Sequence, residues 1–400
     1  MARSRAQLEL DARLRHVAEA AMRLPSLVAR GGKEERARLV ERHRRGERLA
    51  PSWSVPADPV TPDVRRALSQ ARRFAGEVAA ESLYLARLEE LELELDLRDA
   101  LGSGKTVRAL ARRRWPTGRT PIHPRAKTPL RAVAEALLDD VATSEDEPAT
   151  VPARGEDSLE AMVLRVAAVA GLSIQVKIEP GLVARAAAGE RTVFLADTRF
   201  GAREARRLAI HEVLGHLVAA ANARSQPLAL LSVGTAGSFE DQEGLALSLE
   251  EHAGLMDARR ARTFAARVVA TDAVHEGADP DEVVELFVRD RGLTLDDAIA
   301  ITERAFRGGG LARDAGYLYG WLRVRRALRR DETRFDELRW GKVGLDALGM
   351  LRALAARGEL REPGPHRPSL ASSLEATGPG TSSFTSPPSV AASLMRFDET

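Results

Sequence analysis

Strand-like sequence is scarce in this chain of 400 residues. Only residues 173–178 (SIQVKI) and 191–196 (RTVFLA), on either side of a turn marked by Gly189, read as short strands. Elsewhere apolar residues recur at helical intervals. A long helix is expected over 202–223, followed by helices near 242–256, 258–274, 280–291, 295–306, 314–329 and 345–357. The fold class is therefore α+β: predominantly helical, with a small sheet lying just before the helix that carries the main motif.

Breaks in the pattern divide the chain. Residues 1–50 read as one or two charged amphipathic helices interrupted at Gly31-Gly32, and Pro51, Pro56, Pro59 and Pro62 follow as a linker. Residues 63–113 look helical, 115–128 is a proline-rich extended segment, 129–141 is a further helix, and the acidic stretch 144–157 reads as a surface loop. The expected organisation is a charged N-terminal segment (1–50), a helical subdomain (60–150) and a main domain (158–358). Residues 362–400 are rich in Pro, Ser, Gly and Thr, a composition that cannot offset the entropy of ordering, so a disordered tail is expected.

Several functions are excluded early. With no cysteine in the sequence, disulfides, thiolate metal sites and cysteine nucleophiles are ruled out, so a metal site must use histidine and carboxylate. The formal net charge is +2, and the basic run 323–330 is followed at once by Asp331 and Glu332, so no nucleic-acid role is expected. No apolar run reaches the ~18–20 residues that span a bilayer, and the N-terminus lacks a signal-peptide core, so a cytoplasmic protein away from membranes is expected. Gly102-Ser103-Gly104-Lys105-Thr106 imitates the end of a phosphate-binding loop. Asp99 stands where that pattern requires glycine, and the sequence leading in is acidic and helical, so it reads as a turn between helices.

The strongest local signal is I-H-E-V-L-G-H at 210–216. Two imidazoles can hold a metal without cancelling its Lewis acidity, and an adjacent carboxylate can take a proton from water. In the common H-E-x-x-H spacing the rings lie about 40° apart on an α-helix; one extra residue would put them about 140° apart. Either the helix is locally widened, for which Gly215 is suited, or the two histidines merely pack on a core helix. A third donor from a later helix is offered by Glu243, at a helix start within DQEGLA. Glu250 lies two turns on, on roughly the same face, while Glu251 and His252 are rivals better suited to a solvated face.

HEVLGH followed by QEGLA resembles the family of metallopeptidases that includes the microtubule-associated tyrosine carboxypeptidases and bacterial proteins named for the QEGLA motif. The likeness continues through Arg304-Ala305-Phe306-Arg307-Gly308-Gly309, Asp314 and Tyr317-Leu318-Tyr319-Gly320, and includes the acidic helix over 84–102, so it spans roughly 60–350. It implies zinc as cofactor, with His211, His216 and Glu243 as ligands and Glu212 as catalytic base, the longer H-E-x-x-x-H spacing being the family's own. Val213-Leu214-Gly215 is more apolar than its counterpart in the tubulin enzymes. The segment between His216 and Glu243 is shorter and includes a Gly-Thr-Ala-Gly-Ser loop.

The expected function is zinc-dependent hydrolysis near the C-terminus of a peptide or protein, on a predominantly helical metallopeptidase domain. Tyr317 and Tyr319 are candidates for stabilising the tetrahedral oxyanion. Arg304 and Arg307 are candidates for reading a terminal carboxylate through a guanidinium fork. The alternatives are a zinc endopeptidase or amidohydrolase, and an inactive metal-binding interaction protein; the intact Glu212 speaks against the latter. The oligomeric state is not legible.

Overall fold

A computed structural model of the chain describes residues 4–22, 24, 32–53, 55, 58–123, 125–140, 150–180, 182, 184–361, 365–378 and 388–397. It is predominantly helical, with two small sheets. None of the described helices is long and apolar enough to cross a membrane.

The first helix, Arg5–Ala21, begins where the Ser4 hydroxyl accepts the Gln7 N–H. It buries Leu10, Leu14, Val17 and Ala21, a 3–4 spaced stripe, against Pro62–Ala75 and Glu81–Asp99. The break expected at Gly31 lies outside the described residues, and the next helix starts at Gly32. The core does not respect the divisions suggested by the linkers. One cluster joins Leu14 and Leu88 to Val213 and Leu249; another joins Leu39 and Val133 to Phe264 and Trp321.

The central strand of the larger sheet is Thr192–Ala196, parallel to Gln175–Glu179 and antiparallel to Ala186–Ala188. The Ala186–Ala188 strand escapes sequence reading because alanine has little preference for strands. It is an edge strand and packs against the motif helix. Within the stretch read as an acidic loop, Thr150–Val151 pairs with Phe200–Gly201, while 141–149 lies outside the described residues.

Within 362–400, the described residues 365–378 and 388–397 depart from the expected disorder, while the rest lies outside the described residues. Leu370–Glu375 and Pro388–Met395 are helical, and Val390 and Leu394, one turn apart, join the core cluster that contains Leu137 and Leu138. Average composition hid this, because two apolar residues at the right spacing suffice to dock a short helix.

Candidate metal centre

The helix expected over 202–223 runs as Ala202–Ile210, then a π-helical segment His211–Leu217, then Val218–Ser225. The Val218 N–H donates to Val213 O, five residues back. That widening brings residues five apart nearly above one another. The motif's extra residue, which would turn the rings apart on an α-helix, here turns them together. Their centroids lie 4.9 Å apart, edge to face, and His211 Nε2 and His216 Nε2 are 3.2 Å apart.

Glu243 comes from the Ser238–His252 helix, with Oε2 3.6 Å from His211 Nε2 and 3.9 Å from His216 Nε2. Glycine makes this approach feasible. A Cβ on Gly215 would lie 2.5 Å from Ala246 Cβ. On its other side the same helix meets Ala315–Arg330, where a Cβ on Gly244 would lie 2.2 Å from Gly320 O and one on Gly320 would lie 1.8 Å from Glu240 O. The glycines of HEVLGH, QEGLA and YLYG are thus the crossing points of three helices.

The donor set fits a tetrahedral zinc. Two imidazole nitrogens and a carboxylate oxygen lie within 4.8 Å of one another, and bonds of about 2.05 Å imply ligand separations of about 3.3 Å. The outer contacts fit as well. His211 Nδ1 lies 2.7 Å from Glu250 Oε1, and Glu250 is wholly buried and held by Arg260, whose Nη2 is 2.6 Å away. A Nδ1–H donated to Glu250 leaves His211 Nε2 as the lone-pair donor. Without a cation, Glu212, Glu243 and Glu250 crowd one another. Burial opposes charge on His211, but Glu243 and Glu250 prevail and push it up to about 10. Burial pushes His216 down to about 4. Burial, abetted by Glu243 and Glu250 against His211, pushes Glu212 up to about 7. Burial also opposes charge on Glu243, yet the two histidines hold it below its ordinary value.

Compared with known proteins, residues 45–379 match the family described as microtubule-associated tyrosine carboxypeptidase. The chain belongs to that family. It is accordingly a carboxypeptidase-type enzyme. No curated protein and no solved structure matches it.

The other residues expected at the centre of this tyrosine carboxypeptidase relative fall in different places. Tyr317 stacks on Phe264 with centroids 5.6 Å apart, and burial with the charge of Glu243 pushes its hydroxyl up to about 12. Arg304 lies with its guanidinium 5.8 Å from the Tyr317 ring and is bonded to Asp314. Tyr319 is on the other flank of its helix, where it accepts from Arg323 at 3.2 Å; Arg323 in turn binds Asp241. Asp241 is two residues, about 200° of helix, from Glu243, so Tyr319 faces away from the donors. Arg307 donates to Glu303 at 2.6 Å, and Glu303 also receives Arg36, so Arg307 is tied to the helix Gly32–Arg44. Glu251 is occupied by Trp321 and Arg325, and His252 by Ser248 O, so neither rival joins the donors. Arg260, Phe264 and Arg267 went unnoticed in the sequence. Their one-face spacing was visible, but arginine is too common in this chain to single them out.

Proposed function

We propose that this chain is a zinc-dependent carboxypeptidase that removes a residue from the C-terminus of a peptide or protein, with zinc held by His211, His216 and Glu243. The observation that carries the reading is the π-helical turn, which brings His211 and His216 together opposite Glu243 and beside the buried Glu212. When bound, zinc supplies Lewis acidity to the substrate carbonyl and makes water acidic enough to be a nucleophile near neutral pH.

The chain's own groups supply the rest. Glu212 takes the proton of the attacking water and passes it to the leaving amine; its burial, which favours the neutral form, helps it hold the proton in between. Tyr317, protonated throughout the neutral range, donates to the oxyanion. Glu250 and Arg260 hold the His211 ring in place. An extended substrate pairs with the edge strand Ala186–Ala188, since the central strand Thr192–Ala196 has both edges taken.

The test is metal analysis of the purified wild type and Glu243→Ala, combined with hydrolysis of a peptide library by wild type and Glu212→Gln. One zinc per wild-type chain, its loss in Glu243→Ala and release of single C-terminal residues are expected. Full zinc retention by Glu243→Ala removes that ligand, and cleavage surviving in Glu212→Gln ends the mechanism.

A further inference from the structure

The helix Ala258–Glu276 lays Arg260, Phe264 and Arg267 along one face, at i, i+4 and i+7. Arg260 is matched by Glu250. Arg267 has no such match. Its guanidinium lies 5.1 Å from the centroid of Phe264 and 5.1 Å from that of Tyr317, against two rings that stack on each other. Its nearest acid is Asp314, whose Oδ2 stands 3.7 Å from Arg267 Nε, beyond hydrogen-bond reach, and already receives Arg304. Arg267 Nε is buried with no hydrogen-bond partner.

Two buried guanidiniums therefore share one carboxylate, and a positive charge is left over. Burial and the neighbouring Arg304 push Arg267 down to about 10, a sign of how poorly its charge is compensated. A buried cation with vacant donors is costly unless an anion comes to it. The side chain keeps an exposed edge, at 15% of its surface, through which one can. Tyr317 connects this spot to the metal donors, because its ring lies under Arg267 while its hydroxyl feels Glu243. That is the layout an exopeptidase needs: the terminal carboxylate belongs one residue, ~3.8 Å of chain, beyond the carbon that is attacked.

The geometry points to Arg267 as the residue that binds the free C-terminal carboxylate of the substrate, its guanidinium held against the rings of Phe264 and Tyr317. This rests on the carboxypeptidase reading and refines it, since Arg304 is already engaged by Asp314 and Arg307 by Glu303. Another cation whose charge reaches the centre is Lys342, half-buried on the His216 side.

The experiment compares a fluorescent peptide ending in a free carboxylate with the same peptide as its C-terminal amide, on the zinc-loaded full chain. Wild type, Arg267→Met, Arg267→Lys and Lys342→Met are assayed. Wild type is expected to favour the acid. Arg267→Met should raise KM for the acid about 10- to 100-fold, the worth of a charge-assisted hydrogen bond, with kcat changed less than about threefold and the amide unaffected. Arg267→Lys, which keeps the charge but loses the fork, should fall between, and carries the comparison alone if the methionine variant does not fold. Persistent acid preference in both Arg267 variants, or its loss in Lys342→Met instead, overturns the assignment while leaving the carboxypeptidase reading intact. A zinc-loaded wild type that treats acid and amide alike defeats that reading and this one together.

Discussion

Gly215 meets Ala246 at the point where the two donor-bearing helices cross, and a Cβ on Gly215 would stand 2.5 Å from the Cβ of Ala246. Both residues sit within a few positions of a candidate ligand, so the closeness of the helices and the gathering of His211, His216 and Glu243 are one feature. Gly215→Ala is expected to cost about 1–3 kcal/mol of stability through overpacking and to lower bound zinc. Adding Ala246→Gly should restore part of both, because it removes the opposing methyl. Urea denaturation and metal content of the single and double variants check this; a single variant with wild-type stability and full metal refutes it.

Gly320 presents a harsher case. Its Cβ would fall 1.8 Å from the carbonyl oxygen of Glu240, and backbone cannot turn aside as a side chain can. Gly320→Ala should therefore destabilise by about 3 kcal/mol or more, above the usual range for overpacking, and no small-residue change at position 240 should rescue it. Comparing its urea midpoint with that of Gly215→Ala decides the point: an equal or smaller loss for Gly320→Ala contradicts it.

Glu250 touches no metal, yet it fixes which nitrogen of His211 is free to bind one. Glu250→Gln keeps a hydrogen-bond partner but forfeits the charge. Metal affinity should fall about 10- to 100-fold, measured by competition with a chelator, while Glu243→Ala loses the metal outright. Equal affinities in wild type and Glu250→Gln would leave the carboxylate with a packing role only.

How much of this was written in the sequence varies with the kind of interaction. The helical fold and the donor cluster of His211, His216 and Glu243 were legible, because apolar spacing and donor chemistry are local properties. The sequence left open whether the six-residue motif was a widened helix. The π-helical turn resolves that, but its close neighbour, Ala246, lies thirty positions away in a motif that gave no hint of the contact. Tyr317 and Tyr319 looked equivalent until the helix crossing at Gly320 put them on opposite flanks. Arg267 was invisible because what distinguishes it is that its nearest acid stands beyond hydrogen-bond reach and is shared with Arg304, a property of the packed structure alone.

Asp314 holds Arg304 and sits near Arg267, and their charges keep it, despite burial, down at about 2, below its ordinary 3.8. A carboxyl whose folded value is depressed contributes stability that is complete above the unfolded value and is lost as pH falls through the folded one. Asp314→Asn should thus be less stable by about 3–5 kcal/mol at pH 7, where two guanidiniums are left without their acid. The gap between wild type and variant should narrow as pH drops from about 4 toward 2. Denaturation curves across that range check the sign, and a gap that widens with acid rejects it.

Glu212 and Glu243 are both buried or nearly so, both beside the same imidazoles, and separable by experiment. If Glu243 binds and Glu212 transfers protons, Glu243→Ala should lose metal and activity together. Glu212→Gln should keep its metal and its substrate affinity and lose about 10²- to 10⁴-fold in kcat, the worth of a positioned general base. The amide is nearly the size of the carboxylate, and it relieves a group whose charge is disfavoured by burial, so folding should not suffer. Zinc content, KM and kcat measured on the same preparations separate the two roles. A Glu212→Gln protein that sheds its zinc would make Glu212 a ligand and require a different base.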